Sequence, residues 1–316
     1  MNSSVHISVV TPVYGCCKSL NKLYERLNKT LTTLTENFEI IMIDDSSPDN
    51  SWDAIKKLSK VDNRVKGISL SRNFGQSRAI MAGLDYANGD WIVVMDCDLQ
   101  DQPEEILKLY TKAQEGYDIV FGKRFNRRDG FIKRIRSNLF YFFYNYFTNS
   151  NTDSRISNFS IITKKVLKAL KKYSERNSSY PLSVNLVGFK RAEINIEHAE
   201  REYGETSYNL KKLINLAIDV IVSQSNKPLS MSIKFGFTIS FFSFIYTIWL
   251  VGKYYIYGVE VAGWTSVMVS IYFLSGLLFV NLGFMGLYIG KIFNETKSRP
   301  LYLIDELTWQ ENSSTK

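Results

Sequence analysis

Asp96-Cys97-Asp98-Leu99-Gln100-Asp101 follows directly on the apolar run Trp91-Ile92-Val93-Val94-Met95, so acids and an amide stand where a buried strand should open into a loop. Carboxylates two residues apart at such a point can turn toward one hard cation, and a cation held by oxygen ligands can bridge a diphosphate. That chemistry suits a nucleotide-diphosphate substrate. A solvated acidic turn has the same composition, since Asp is a common turn residue, so the surrounding elements must decide.

The chain's 316 residues leave room for an α/β domain of about 200 residues and a smaller part. Phe235 to Gly252 is a run of 18 uncharged residues and Val261 to Gly290 a run of 30. Each is long enough to cross a hydrocarbon layer of roughly 30 Å as a helix, and the first has no polar face to turn to water. Lys211, Lys212, Lys227 and Lys234 precede the first run, Lys291, Lys297 and Arg299 follow the second, and the connector carries only Lys253. This bias predicts two spans of a cytoplasmic (inner) membrane, with the amino-terminal domain and both termini cytoplasmic. No signal peptide is expected, because the chain passes from Met-Asn-Ser-Ser-Val-His straight into a strand pattern. Cys16, Cys17 and Cys97 form neither a metal-site spacing nor a disulfide framework, which suits a reducing compartment and a structural role.

The net charge of +8 is placed for a membrane surface rather than for nucleic acid. Seven basic residues (Lys123, Arg124, Arg127, Arg128, Lys133, Arg134 and Arg136) lie against one acid, ahead of the aromatic stretch Leu139 to Phe147. Cations at headgroups and rings in the acyl boundary are what an interfacial helix needs. A core helix with a solvated basic flank has the same pattern. Juxtamembrane helices with aromatic faces could also pair subunits into a homo-oligomer.

The elements that must position the acidic cluster follow from periodicity. Strands are predicted at Ile7 to Pro12, Phe38 to Ile43, Val65 to Ser69, Trp91 to Met95 and Asp118 to Phe121. Helices are predicted at Lys18 to Thr35, Ser51 to Lys60 (capped by Asp49 or Asn50), Gln76 to Ala87 and Pro103 to Gln114. This alternation implies a mostly parallel sheet covered on both faces. An amphipathic helix is expected from Asn209 to Val222, so the domains read as 1–208 catalytic, 209–231 juxtamembrane, 232–293 spanning and 294–316 a cytoplasmic tail.

Four loops then fall at the carboxyl ends of the strands, where an open parallel sheet places its ligand. They are Thr11-Pro12-Val13-Tyr14, Asp44-Asp45-Ser46-Ser47-Pro48-Asp49, Ser71-Arg72-Asn73-Phe74-Gly75-Gln76 and the acidic cluster. A tyrosine face can stack on a base, a carboxylate can accept from base or ribose, and an arginine can pair with phosphate. Singly each loop reads as a turn, a cap or the start of a helix; together they exceed what capping requires.

Pro12-Val13-Tyr14, Ile43-Asp44-Asp45-Ser46-Ser47-Pro48-Asp49, Arg72-Asn73-Phe74-Gly75 with Ala79 and Gly83, the acidic string with Pro103-Glu104, Tyr117-Asp118-Ile119-Val120 with Gly122 and Arg124, and Arg201 with Gly204, Thr206 and Tyr208 resemble family 2 glycosyltransferases of GT-A fold. Among these the chain is similar to the membrane-anchored polyprenyl-phosphate glycosyltransferases. The resemblance implies that Pro12, Tyr14 and Asp45 hold the nucleoside, and that Asp96, Asp98 and Gln100 bind Mg²⁺ or Mn²⁺ and through it the diphosphate. It further implies that Arg124 and Arg201 neutralise phosphate charge and that Ser137 meets the lipid phosphate, so that Asp98, Arg124, Ser137 and Arg201 form the catalytic set. The expected partners are a nucleotide-sugar donor, a UDP-sugar or another, and a polyprenyl-phosphate acceptor at the membrane. The acceptor is already anionic, so no general base is required, and one in-line displacement inverts the anomeric centre.

Two strings depart from this family's pattern. Ser157-Asn158-Phe159-Ser160-Ile161 stands where Gly-Asp-Phe-Arg-Leu is usual, and Gly204-Glu205-Thr206-Ser207-Tyr208 lacks the usual lysine. Asp153 or Arg155 could substitute for the lost charges. The departures leave open a different sugar, or transfer to a lipid-linked or cell-envelope glycan. A processive polysaccharide synthase is disfavoured, since no Gln-x-x-Arg-Trp string occurs. An inactive membrane scaffold is disfavoured by the intact Asp96, Asp98 and Gln100.

Overall fold

A computed structural model of the protein describes residues 5–124, 146, 156–172, 180–197, 225, 227–257, 263–297 and 299–310. Strands β1 (Ile7–Val13), β2 (Phe38–Asp44), β3 (Val65–Leu70), β4 (Trp91–Val94), β5 (Ile119–Arg124), β6 (Ile156–Thr163), β7 (Arg191–Ile196) and β8 (Ile304–Leu307) form one eight-stranded sheet, ordered β7-β5-β6-β4-β1-β2-β3-β8. The pairs β1–β2, β1–β4, β2–β3 and β5–β7 are parallel, whereas β6 runs antiparallel between β4 and β5 and β8 antiparallel to β3. The expected mostly parallel α/β sheet is thus present, with an antiparallel insertion and an antiparallel edge.

Alternation along the central strands sends side chains to two cores. On β2, Ile40 and Met42 join Leu20, Leu23 and Leu27 of α1 (Cys17–Thr32), Ile55 of α2 (Ser51–Val61) and Leu109 of α4 (Ile106–Gln114) on one face. Ile41 and Ile43 join Ile80 and Leu84 of α3 (Gln76–Tyr86), Val166 of α5 (Lys164–Leu170) and Tyr180 and Val184 of α6 (Tyr180–Leu186) on the other. Helices on both faces explain why β1 and β2 are buried at every position. Gly83 marks the closest approach: a Cβ there would meet Val10 Cγ1 and Ile43 Cδ1, each at 2.5 Å.

The amino end of the sheet is closed by a polar network around Glu39, 2% exposed. Glu39 accepts from Ser8 Oγ at 2.5 Å, Lys66 Nζ at 2.6 Å and the Asn88 N–H at 2.9 Å, and Ser8 Oγ accepts from the Gly89 N–H at 2.8 Å. A buried carboxylate fully supplied with donors ties three strands and the α3–β4 turn together.

Two long helices, α7 (Lys227–Tyr257) and α8 (Trp264–Thr296), cover the expected apolar runs. Lys227–Tyr246 and Ser270–Phe293 are apolar and long enough to cross a membrane, and neither window is buried within the protein. Ser232 Oγ bonds Asn281 Oδ1 between the helices, a polar contact of the kind that helps pack helices in lipid. By contacts the chain divides into two compact units, residues 1–138, 152–207 and 299–316, and residues 139–151 and 208–298.

The stretch after α8, read from sequence as a tail, contributes β8. Ile68 pairs with Leu307 and Ser69 with Glu306, Thr308 Oγ1 accepts from the Gly67 N–H at 2.9 Å, and Trp52 Nε1 donates to Glu306 at 2.8 Å. Tyr302 Oη donates to Asp85 at 2.7 Å, and Trp309 packs edge-on to Tyr86. The edge of β3 is thereby covered, which removes a template for unwanted pairing.

Gly83→Ala is expected to lower stability by about 1–2 kcal/mol, because overpacking against β-branched Val10 exceeds the roughly 1 kcal/mol gained in helix propensity. A lowered thermal midpoint in detergent, with the same circular-dichroism spectrum, would show it. Asp62, 9% exposed, accepts from Arg64 Nη2 at 2.7 Å and Tyr24 Oη at 2.8 Å, and chiefly the Arg64 bonds hold its carboxyl down to about 2. A depressed folded pKa contributes stability above the ordinary aspartate value that is lost as pH falls toward 2. With solvent around Arg64 the loss should be about 1–2 kcal/mol, and Asp62→Asn should remove that share of the acid sensitivity.

Candidate active site

The carboxyl ends of β1, β2, β3 and β4 all emerge on one side, because these four strands are parallel, and the Asp44-Asp45, Arg72-to-Gly75 and Asp96-to-Asp101 loops meet there. Backbone bonds set the spacing: the Asp45 N–H donates to the Val13 carbonyl at 2.9 Å and the Met95 N–H to the Val10 carbonyl at 3.1 Å.

Asp45 is buried, at 2% exposure, and both of its oxygens are engaged. Oδ1 accepts from the Phe74 N–H at 2.7 Å and Oδ2 from the Gly75 N–H at 2.8 Å, so this carboxylate pins the loop entering α3. Gly75 adopts φ 94°, a conformation that side chains resist, which explains a glycine at this bend. Burial is the main cause pushing the Asp45 carboxyl up, opposed by those two N–H groups. Asp44, 3% exposed, accepts from the Ser47 N–H at 3.3 Å through Oδ2, while its buried Oδ1 has no hydrogen-bond partner among the described residues; burial again raises its pKa. Pro12 is buried within β1, and Tyr14, which follows the strand, is 54% exposed with its ring open to a ligand.

The acidic loop keeps the alternation of the strand before it. Asp96, Asp98 and Gln100 are half-buried, while Cys97 and Leu99 point into the core at 6% and 3% exposure. Leu99 has φ 61°, an uncommon conformation for a branched residue, and the Gln100 N–H donates to Asp98 Oδ1 at 3.2 Å. Asp96 Oδ1 accepts from Gln76 Nε2 at 2.7 Å and from Asn158 Nδ2 at 3.4 Å. These residues fit a hard divalent cation: three oxygen-bearing side chains at alternate positions, half-exposed, with the acids oriented by amides. Among the described residues no three of His, Cys, Asp and Glu are grouped to hold a metal ion, so the candidate set is the two acids with the Gln100 amide.

Gln76 and Asn158 were not assigned roles from sequence; their partner lies 20 and 62 residues away, and the start of α3 and the pairing of β6 with β4 bring them to it. Asn158 belongs to β6, which pairs Ser160 with Val94 and Ile161 with Val93, so the departing string lies beside the strand that leads into the acidic loop. Ser160 is fully buried and shares a 2.9 Å hydrogen bond with Tyr180 Oη. Burial pushes the Tyr180 phenol up, and a neutral pair fills a position where an arginine would be desolvated.

The cysteine expectation is corrected by the structure. Cys16 and Cys97 are joined as a disulfide across 81 residues, leaving Cys17 free. Spacing could not reveal this, since the pair depends on β4 lying beside β1. Arg124 ends β5, paired with Ile196, and its side chain lies outside the described residues. So do Ser137, Arg201, the Arg201-to-Tyr208 string, Asp153, Arg155, the expected helix at 209–222, and the basic and aromatic stretch except for Lys123, the Arg124 backbone and Tyr146.

Comparison with known proteins agrees with the geometry. The description "Glycosyl transferase family 2" matches residues 8–171. The chain is 36% identical to the glycosyltransferase YkcC of Bacillus subtilis (strain 168), over 99% of this chain and 97% of that one. It is 34% identical to the undecaprenyl-phosphate 4-deoxy-4-formamido-L-arabinose transferase of Proteus mirabilis (strain HI4320), over 95% and 93%. In fold it is similar to glucosyl-3-phosphoglycerate synthase from Mycobacterium tuberculosis, solved with Mn²⁺, UDP and phosphoglyceric acid, at a TM-score of 0.50 and 17% identity over 69% of this chain and 76% of that one. The chain belongs to glycosyltransferase family 2. It is an enzyme of the transferase class, with a GT-A fold followed by two helices able to span a membrane.

Gln76→Ala removes the shorter of the two side-chain amide bonds to Asp96 described above and should raise KM for the sugar donor roughly fivefold, about 1 kcal/mol, with a smaller change in kcat. Steady-state kinetics at several metal concentrations would test this, and Gln76→Glu, which sets a like charge against Asp96, should cost more.

Proposed function

We propose that the protein is a metal-dependent inverting glycosyltransferase that moves a sugar from a nucleoside diphosphate, preferably UDP, to polyprenyl phosphate at the cytoplasmic face of the membrane. The observation that carries the reading is the alternate, half-buried placement of Asp96, Asp98 and Gln100 beside Asp45 and the exposed Tyr14. The undecaprenyl phosphate in the name of the Proteus relative supports the acceptor. The Mn²⁺ and UDP bound to the similarly folded synthase support the cofactor and donor, with Mg²⁺ an equivalent hard cation.

Tyr14 stacks on the base, Pro12 shapes the strand end beneath it, and Asp45 holds the nucleoside side of the site by fixing the Phe74-Gly75 loop. Asp96, Asp98 and Gln100 would hold the metal, which supplies positive charge to the leaving diphosphate. The bond from the anomeric carbon to the diphosphate oxygen breaks as an acceptor phosphate oxygen bonds to the opposite face of that carbon, inverting it and releasing the nucleoside diphosphate with that oxygen. Arg124 and Arg201 stabilise the phosphate charge that develops, and Ser137 donates to the lipid phosphate. An ionised phosphate nucleophile needs no base.

For the membrane arrangement, residues 1–208 form the catalytic domain, 209–231 a juxtamembrane segment and 232–293 a two-helix hairpin, with 294–316 returning to the catalytic side. The return of the chain to the same sheet as β8 supports an even number of crossings, and the lysine bias supports the cytoplasmic side.

Membranes containing the protein, given labelled nucleotide sugars and a short polyprenyl phosphate, should yield a labelled product soluble in organic solvent. Absence of such a product with every donor would overturn the reading. Asp98→Ala should lose metal-dependent nucleotide binding and lower kcat/KM by about a hundredfold or more; unaltered turnover would refute the metal assignment.

A further inference from the structure

The Cys16–Cys97 link joins the two loops that the proposed donor would touch. Cys16 lies two residues after Tyr14, Cys97 lies between Asp96 and Asp98, and their Cα atoms are 6.2 Å apart, within the range a disulfide spans. Both loops are conformationally demanding: Gly15 adopts φ 67° and Leu99 φ 61°. Ser19 Oγ lies 2.9 Å from the Cys16 carbonyl and 2.8 Å from the Cys97 carbonyl, so one hydroxyl proton at the start of α1, shared between the two acceptors, links both loops besides the sulfur bond. That link does not require the sulfur bond, so opening the bond leaves a second tie between the two loops.

Resting on the nucleotide-donor reading, we infer that Cys16 and Cys97 are a reversible oxidation site, a thiol–disulfide latch across the donor mouth whose closed form holds the nucleotide more tightly. In a reducing compartment the pair rests as two thiols. Closure needs a disulfide oxidant: the half-buried Cys16, as thiolate, attacks a small disulfide and expels one thiolate, and the Cys97 thiolate then displaces the second. The two cysteines lose two electrons to the oxidant and release two protons, and a dithiol reverses the exchange. Nucleotide binding must order both the Tyr14 loop and the Asp96-to-Gln100 loop. The closed bond removes part of that ordering cost before the ligand arrives, so its effect falls on affinity and release.

The test uses the full chain in detergent, held reduced with a dithiol or oxidised with glutathione disulfide. Peptide mapping should find the Cys16–Cys97 link only after oxidation, and titration with UDP and Mn²⁺ should show roughly threefold to tenfold tighter binding and slower dissociation in the oxidised protein. Cys16→Ser and Cys97→Ser should each remain at the reduced affinity in oxidant, while Cys17→Ser keeps the response. Equal affinity in the two states, or failure of the link to form, overturns the latch and leaves the donor reading standing. If UDP and the other common nucleoside diphosphates bind neither state, the donor reading falls and the latch falls with it.

Discussion

Strand β4 pairs with β1 and not with β3, its predecessor in the sheet's parallel half, and the site is a consequence of that pairing. The chain builds β1, β2 and β3 outward in one direction, then recrosses through α3 to lay β4 on the other side of β1. The loops after β1 and β4 lead to α1 and α4 on the same face and stand side by side at the carboxyl ends of the strands, where an open α/β sheet binds its ligand. Tyr14 leaves one lip and Asp96 the other. Gly83 is the local condition for the recrossing, since only a residue without a Cβ lets α3 lie this close to Val10 and Ile43.

The two ends of the sheet manage buried carboxylates differently. At the amino end Glu39 has a hydroxyl, an ammonium and an amide for partners, so it serves cohesion. At the carboxyl end Asp45 is held by two backbone N–H groups of a neighbouring loop and Asp44 by one of its own loop, and burial raises both pKa values. A raised carboxyl is one that resists carrying its charge in that environment. Burial here disfavours the charge of both carboxyls, and the arrangement is costly unless a cation or a donor-rich ligand is nearby.

Much of this architecture was legible in the chain because its signals are local. The first five strands and four helices have apolar runs or helical periodicity, and each appears within a few residues of its expected place; the helix expected from Pro103 begins instead as a short 3-10 turn at Pro103–Glu105. The acidic loop was legible for the same reason. Interactions that depend on strand order were not: the Cys16–Cys97 bond, the amides of Gln76 and Asn158 on Asp96, and β8, whose four residues Ile304-Asp305-Glu306-Leu307 carry too little pattern to announce a strand. Ser160 illustrates the difference. In sequence it is a missing arginine; in the sheet it is a buried hydroxyl matched to Tyr180.

The position of β8 also imposes an order in time. Its residues follow both long helices in the chain, so a ribosome must finish α7 and α8 before the last strand of the sheet exists. Until then β3 has an unpaired edge, Trp52 lacks Glu306 and Asp85 lacks Tyr302. An early catalytic unit can form most of its core, yet its final edge closes only after the helical hairpin has been made. Completion of the enzyme's sheet is thereby a record that its two long apolar helices have already been synthesised.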